Sequence, residues 1–326
     1  MADIKVRDLR SDLSWGSIVD GVTYETLADP AIRGQLNEIF EDRGMVVFEN
    51  IEPSQKMMVE LSNVFGPLKH HPVKAVARVD EETMPGVIDM HTMPQDPCHD
   101  LSGLIAQNNK IVARHAPWHF DHAYNDELNR TGVLRCVINA PEGEGGRTGF
   151  ADGIQLYKDF NPELREKIEH LNAIYTLDVR LSKQPYGRNF IPFGDVEATR
   201  INAQEARIFP RAIHPFVWTR KDGQKVLHAG PWMFVGIEGH EDAEGAQLCE
   251  EVMQEINRLC DAKSYFHNWK ETDMVIWDNW RILHAVEGCN PMYERQTQRT
   301  TVVGDYGLGR FEGGKKIGEV MREVAI

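Results

Sequence analysis

Residues 272–305 read TDMVIWDNWRILHAVEGCNPMYERQTQRTTVVGD. Met274–Trp277 is a short apolar run closed by the turn-forming Asp278 and Asn279, the pattern of a buried strand. That strand and turn return the chain, carrying His284 back toward earlier segments. Further on, Arg295 and Arg299 precede or begin another apolar strand, Thr300–Val303. Four residues is an even spacing, so on a continuous strand both arginines point to the same face. A guanidinium aimed into a barrel interior is costly without an anionic partner. A dicarboxylate held by a bidentate fork would supply that partner.

The rest of the chain supplies more short strands, at Val133–Asn139, His214–Thr219 and Lys225–Ala229, each bounded by turn residues. Helices are fewer. Residues 29–43 place Ile32, Leu36, Ile39 and Phe40 on one face, with Gly44 positioned to end the helix. Met45–Phe48 then reads as a buried strand. Ser54 caps a second helix carrying Met57, Met58, Leu61, Val64 and Phe65, closed by Gly66. A third helix begins at Asn161-Pro162, and a fourth carries Leu248, Val252, Ile256 and Leu259. Many short strands with peripheral helices predict a mainly β fold with flanking helices, a sandwich or jelly roll. No GxGxxG or GxxxxGK[ST] cradle is present, which disfavours nucleotide chemistry. Without repeats or linkers, residues 1–326 read as one elaborated domain.

The 326 residues are 41% hydrophobic and 9% aromatic, enough to bury a sizeable core. A formal charge of −14 argues against nucleic acid or an anionic membrane as partner, since both need basic surface. A few buried arginines still permit an anionic small-molecule substrate. The five cysteines (Cys98, Cys136, Cys249, Cys260, Cys289) are odd in number and widely spaced, as for reduced thiols. The charged N-terminus lacks the apolar run of a signal peptide, and no stretch approaches the ~18 apolar residues of a membrane span. A cytoplasmic protein is expected, acting on a small molecule and assembled as a homo-oligomer, dimer or tetramer.

Three of the 13 histidines crowd into RHAPWHFDHAY, residues 114–124. Pro117 between His115 and His119 makes a helical zinc site improbable. In a strand, residues i and i+2 share a face at roughly 6.5–7 Å, so His119 and Asp121 converge while Phe120 and His122 face away. Two histidines and one carboxylate on one face of an octahedral ion leave three positions open, the arrangement of non-haem Fe(II) oxygenases. His284 is the candidate for the third ligand. His115 and His122 read as structural groups, Trp118, Trp277 and Trp280 as core, and Asp278 and Asn279 as shaping the turn that aims His284.

These motifs together resemble the taurine/2,4-dichlorophenoxyacetate (TauD/TfdA) dioxygenase family of Fe(II)/2-oxoglutarate enzymes. WHxD appears as Trp118-His119-Phe120-Asp121, and WDNxxxxH as Trp277-Asp278-Asn279 followed by His284. The two arginines stand eleven and fifteen residues past that histidine, and RxTxxGD spans Arg299 to Asp305. PxGGxT runs from Pro141 through Gly145-Gly146 to Thr148, with Arg147 where the family has an acid. Phe65-Gly66-Pro67-Leu68 and His71-Pro72 match a further element, so the resemblance covers about residues 16–306.

The resemblance implies a double-stranded β-helix, a cupin-like jelly roll. It implies Fe(II) held by His119, Asp121 and His284, with 2-oxoglutarate and O2 as co-substrates. Arg295, assisted by Thr148, would bind the distal carboxylate of 2-oxoglutarate; Arg299 and His71 would lie near the primary substrate. The expected reaction oxidises a small, anionic organic molecule by hydroxylation, or by cleavage, desaturation or cyclisation, with release of succinate and CO2. Asp121 disfavours halogenation, because related halogenases lack that carboxylate. Met93–Val112 is insertion-like, and HAGPWMFVG (His228–Gly236) matches no family pattern, so Trp232 and Phe234 are candidates for an apolar substrate contact. A zinc hydrolase on the same ligands would need no arginine pair. A silent binding protein on the same barrel would be expected to lack a ligand.

Overall fold

A computed structural model describes residues 3–69, 78–80, 84–94, 104–193 and 209–324. His71, Cys98 and the middle of the Met93–Val112 region lie outside the described residues.

The early helices form where capping and apolar spacing agree. Asp29 accepts a hydrogen bond from the Ala31 amide, Pro30 occupies the first turn, and the helix runs Pro30–Arg43. Gly44, at φ 74°, ends it in the left-handed region that favours glycine. Ser54 caps Gln55–Phe65 through the Met57 amide at 3.0 Å. Their buried faces, including Leu36, Phe40, Met57 and Leu61, pack against Val46, Phe48, Val133 and Ile276 of the neighbouring sheet.

That sheet has eight strands, in the order Lys5–Asp8, Ser17–Asp20, Met45–Glu49, Met274–Asp278, Thr131–Ile138, Arg295–Val302, Met84–Thr92 and Arg78–Asp80. A second, four-stranded sheet is ordered Tyr265–His267, Thr148–Asp152, Ile282–Val286 and Ala116–His119, all antiparallel. The two sheets share one core: Met45, Val47, Leu134 and Trp277 from the first meet Phe150 and Ile282 from the second. This is a mainly β double-stranded β-helix with helices outside it. The 21-residue helix Ala243–Lys263 buries Val252, Met253, Ile256 and Leu259 in a second core that also holds Trp118 and Phe120. No helix among the described residues is long and apolar enough to cross a membrane.

Two expected elements differ. His214–Thr219 is broken into Ala212–Pro215 and Val217–Thr219, which join different sheets; Pro215 has no amide hydrogen to continue a ladder. The strand expected at Thr300–Val303 begins at Arg295, because its polar side chains are paired: Gln298 accepts from Arg135, and Thr300 bonds Ser62. As expected, His284 follows the strand Met274–Asp278 and a turn, and it sits within the next strand, Ile282–Val286. In the insertion-like region, Leu104–Gln107 and Lys110–Ala113 form a hairpin extended by Ile191–Pro192.

The turn entering the His284 strand is tied down by Arg281, whose Nε donates to Asp152 at 2.7 Å with both side chains buried. Breaking such a buried pair strands a charge. Asp152→Ala is therefore expected to lose about 3–5 kcal/mol in urea unfolding. A loss under about 1 kcal/mol would show that solvent reaches Arg281 and screens it.

Candidate metal centre and co-substrate pocket

The Ala116–His119 strand pairs antiparallel with Ile282–Val286, and His119 sits directly opposite His284. Their ring centroids lie 4.1 Å apart. Asp121 lies beyond the end of that strand, where the chain turns and His122 adopts φ 62°. The expected convergence of His119 and Asp121 holds, but a turn delivers Asp121, not a continuous strand. One donor atom from each of His119, Asp121 and His284 lies within 4.8 Å of the others, and all three residues are buried. No other such cluster occurs among the described residues.

The ligand forms are set by the surroundings. His119 Nδ1 faces the Pro117 carbonyl at 2.7 Å, so it carries the proton and leaves Nε2 with its lone pair. Burial lowers His119 to about 4 and holds His284 well below the ordinary histidine value. Burial alone would raise the Asp121 carboxyl, but Arg299, His284 and His119 hold it below the usual carboxylate range. Arg299 Nη1 donates to Asp121 Oδ1 at 2.6 Å. Asp121 Oδ2 and His284 Nδ1 are buried with no hydrogen-bond partner. Two neutral imidazoles and an ionised carboxylate with a free buried oxygen fit a divalent cation.

Arg295 and Arg299 lie on the continuous strand Arg295–Val302. Arg295 is buried; its Nη2 donates to the Gly146 carbonyl at 2.8 Å, and its Nε has no partner. Gly145 and Gly146, at φ 89° and 90°, let the loop approach that closely; a Cβ on Gly146 would stand 3.1 Å from Arg295 Nε. The Thr148 hydroxyl accepts from Trp269 Nε1 at 3.0 Å, which keeps its own proton for donation. Asn139, Gly146 and Trp269 line a cleft of about 1340 Å³. Arg147 pairs with Glu287 at the surface, on the wall of the same cleft.

The two aromatic candidates separate. Trp232 sets its ring edge-on to His119, centroids 4.6 Å apart, and its indole N–H is buried without a partner. Phe234 is fully buried among Tyr175, Tyr186 and Phe216. Met233, at φ 64°, turns the backbone between them and breaks the alternation that would have aimed both one way. His115 packs against Phe190, outside the metal cluster. Asn279 lies in the turn before the His284 strand as expected, but its side chain also bonds the Asp121 backbone, a role the sequence did not reveal.

The model of the family described as "Taurine catabolism dioxygenase TauD, TfdA family" matches residues 5–301. The chain belongs to this family. Its members are α-ketoglutarate-dependent dioxygenases, and His119, Asp121 and His284 form the candidate metal triad. The chain is 25% identical over 287 residues to the α-ketoglutarate-dependent 2,4-dichlorophenoxyacetate dioxygenase of Cupriavidus pinatubonensis, covering 86% of this chain and 91% of that one. It is 24% identical over 296 residues to the (S)-phenoxypropionate/α-ketoglutarate-dioxygenase of Sphingobium herbicidovorans, covering 90% and 93%. A taurine dioxygenase structure from Burkholderia xenovorans shares the fold, with a TM-score of 0.64 at 19% identity, covering 96% and 94%.

The buried histidines give this TauD/TfdA protein a defined acid response. Burial lowers His115, His119 and His228 to about 4 and His214 to about 3, from an ordinary 6.5. Between those values the unfolded chain binds more protons than the folded one, so stability rises with pH in that window. The thermal midpoint of the metal-free protein is expected to fall steadily as pH drops from 6.5 toward 4. A midpoint that stays level through that window would show that these imidazoles titrate normally.

Proposed function

We propose that this α-ketoglutarate-dependent dioxygenase oxidises a small organic anion, using Fe(II) on His119, Asp121 and His284. When bound, Fe(II) supplies O2 activation coupled to oxidative decarboxylation of 2-oxoglutarate to succinate and CO2. The protein's own contribution is to bind, orient and keep water out. Arg295 takes the distal carboxylate of 2-oxoglutarate, and the Thr148 hydroxyl adds a donor beside it. Trp232 packs against the His119 ring. Substrate oxidation then ends in hydroxylation, or in cleavage, desaturation or cyclisation, according to which substrate bond is presented.

The observation that carries this reading is the arginine pair on one strand, each with a buried Nε lacking a partner. Charge balance points the same way. Asp121, Arg295 and Arg299 together carry one net positive charge, while a divalent metal and the dicarboxylate cancel each other. A monoanionic substrate brings the buried group to neutrality, which a low-dielectric site favours. The names of the two relatives include a phenoxyacetate and a phenoxypropionate, each an aromatic body bearing a carboxylate.

Arg295→Ala should weaken 2-oxoglutarate binding by at least ~30-fold, since truncating one partner of a buried charge pair costs roughly 2–5 kcal/mol. Anaerobic titration of the Fe(II) protein, read by its charge-transfer absorption, checks this; an unchanged affinity moves the role elsewhere.

Arg299 supports two readings. Its free Nε favours holding the substrate anion, and its 2.6 Å bond to Asp121 favours keeping that carboxylate ionised. Succinate release across a panel of small carboxylates and sulfonates identifies the substrate. On that substrate, Arg299→Ala should raise KM strongly with 2-oxoglutarate affinity intact. Loss of metal instead would assign Arg299 to Asp121, and a neutral best substrate would overturn the anionic reading.

A further inference from the structure

Asp121 poses a backbone problem. It is buried, yet it lies past the end of the Ala116–His119 strand, so no neighbouring strand pairs its peptide groups. Asn279 fills that place with its side chain. Its Oδ1 accepts from the Asp121 amide at 2.7 Å, and its Nδ2 donates to the Asp121 carbonyl at 3.0 Å. One carboxamide thus does what an antiparallel strand residue does, giving one acceptor and one donor to the same partner.

The amide is itself held. Its second Nδ2 hydrogen points at Asn129, whose Oδ1 and carbonyl lie at 3.1 and 3.2 Å. A flipped amide would set donor against donor and acceptor against acceptor at Asp121, so this network determines its orientation. On the backbone, the Asn279 amide donates to the Arg130 carbonyl at 3.1 Å, and its carbonyl faces His228 Nε2 at 2.8 Å. Asn279 is fully buried. It also sits on the segment that carries His284, five residues on. The clamp therefore joins the first two ligands of the triad to the third without passing through a metal ion.

We infer that Asn279 is a positioning residue for the metal centre, whose side-chain amide fixes the Asp121 peptide and thereby presets the spacing of the triad. The inference rests on the triad holding a divalent metal, as proposed above. Asp in place of Asn keeps the shape but loses the donor, setting an oxygen against the Asp121 carbonyl. Gln keeps the amide but displaces it by one methylene. Asn129→Ala leaves both bonds to Asp121 intact.

The test is Mn(II) affinity, read from the EPR signal of free Mn(II) at neutral pH, with thermal midpoints measured in parallel. Partners that orient a metal ligand typically cost 10–100-fold in metal affinity when replaced. Asn279→Asp and Asn279→Gln are expected to fall in that range, with Asn129→Ala within about threefold of wild type. Ser62→Ala, which removes the buried bond to Thr300 on the opposite face of the arginine strand, controls for stability; it should lower the midpoint and leave Mn(II) affinity unchanged. Asn279 variants that bind Mn(II) like wild type would overturn the inference. So would a matching loss of affinity in Ser62→Ala, or failure of both Asn279 variants to fold, which would make the residue fold-determining only. Absence of Mn(II) binding in wild type would instead sink the metal reading itself, a result distinguishable from the others.

Discussion

The site depends on one strand register, the antiparallel pairing that sets His284 opposite His119. A slip of one residue would turn the His284 side chain to the other face of the sheet. The register is held from the opposite side, where Ile282–Val286 pairs with Thr148–Asp152 over five residues. Arg281 reinforces it twice, by its ion pair with Asp152 and by its carbonyl, which accepts from the Gly153 amide at 2.9 Å. Packing closes the other choices: Trp277 lies 4.8 Å from His284, centroid to centroid, and Phe150 stacks beyond it at 6.4 Å. Core residues and metal ligands thus share one constraint, and the sheet cannot repack without moving the triad.

Burial and charge act in opposite directions on the three ligands, and the outcome suits a cation. Desolvation favours neutral groups, which is the form an imidazole needs in order to ligate. The same desolvation would neutralise Asp121, the form it must avoid. Arg299 reverses that at close range. Arg299, the largest of the charges lowering Asp121, therefore helps separate the protonation behaviour of adjacent ligands in one pocket. The Asn279 amide, being uncharged, fixes the Asp121 backbone without altering that balance.

Much of this was legible in the sequence. The HxD pair, the distant histidine and the even spacing of the arginines are local patterns, and they found the metal cluster and the shared strand. What stayed hidden depended on tertiary partners. The Arg295–Val302 strand alternates Arg, Gln and Thr, so no apolar run marks its start, and its Gln296, Gln298 and Thr300 side chains find their partners, Asp89, Arg135 and Ser62, on distant segments. Asn279 looked like an ordinary turn residue because asparagine favours turns. Nothing local shows that its amide reaches 158 residues back along the chain. Trp232 and Phe234 have different surroundings, with the left-handed Met233 between them, a local turn that composition conceals.

Trp232 also links the insertion-like region to the triad. It touches His119 on one side and, on the other, packs against Ile105, Leu181 and Phe190, the small cluster beneath the Leu104–Ala113 hairpin. The backbone allows this only because Gly230 lies so close that a Cβ there would come within 2.4 Å of the Trp118 carbonyl. The HAGPWM segment is therefore pressed against the ligand-bearing strand while its tryptophan reaches into the hairpin cluster. Altered packing under the hairpin reaches His119 through a single side chain, whereas Arg295, Thr148 and Trp269 sit among sheet strands and the Gly146 loop. Trp232 thus couples the hairpin cluster to His119, while Arg295 is held by the Gly146 loop and Thr148 by Trp269.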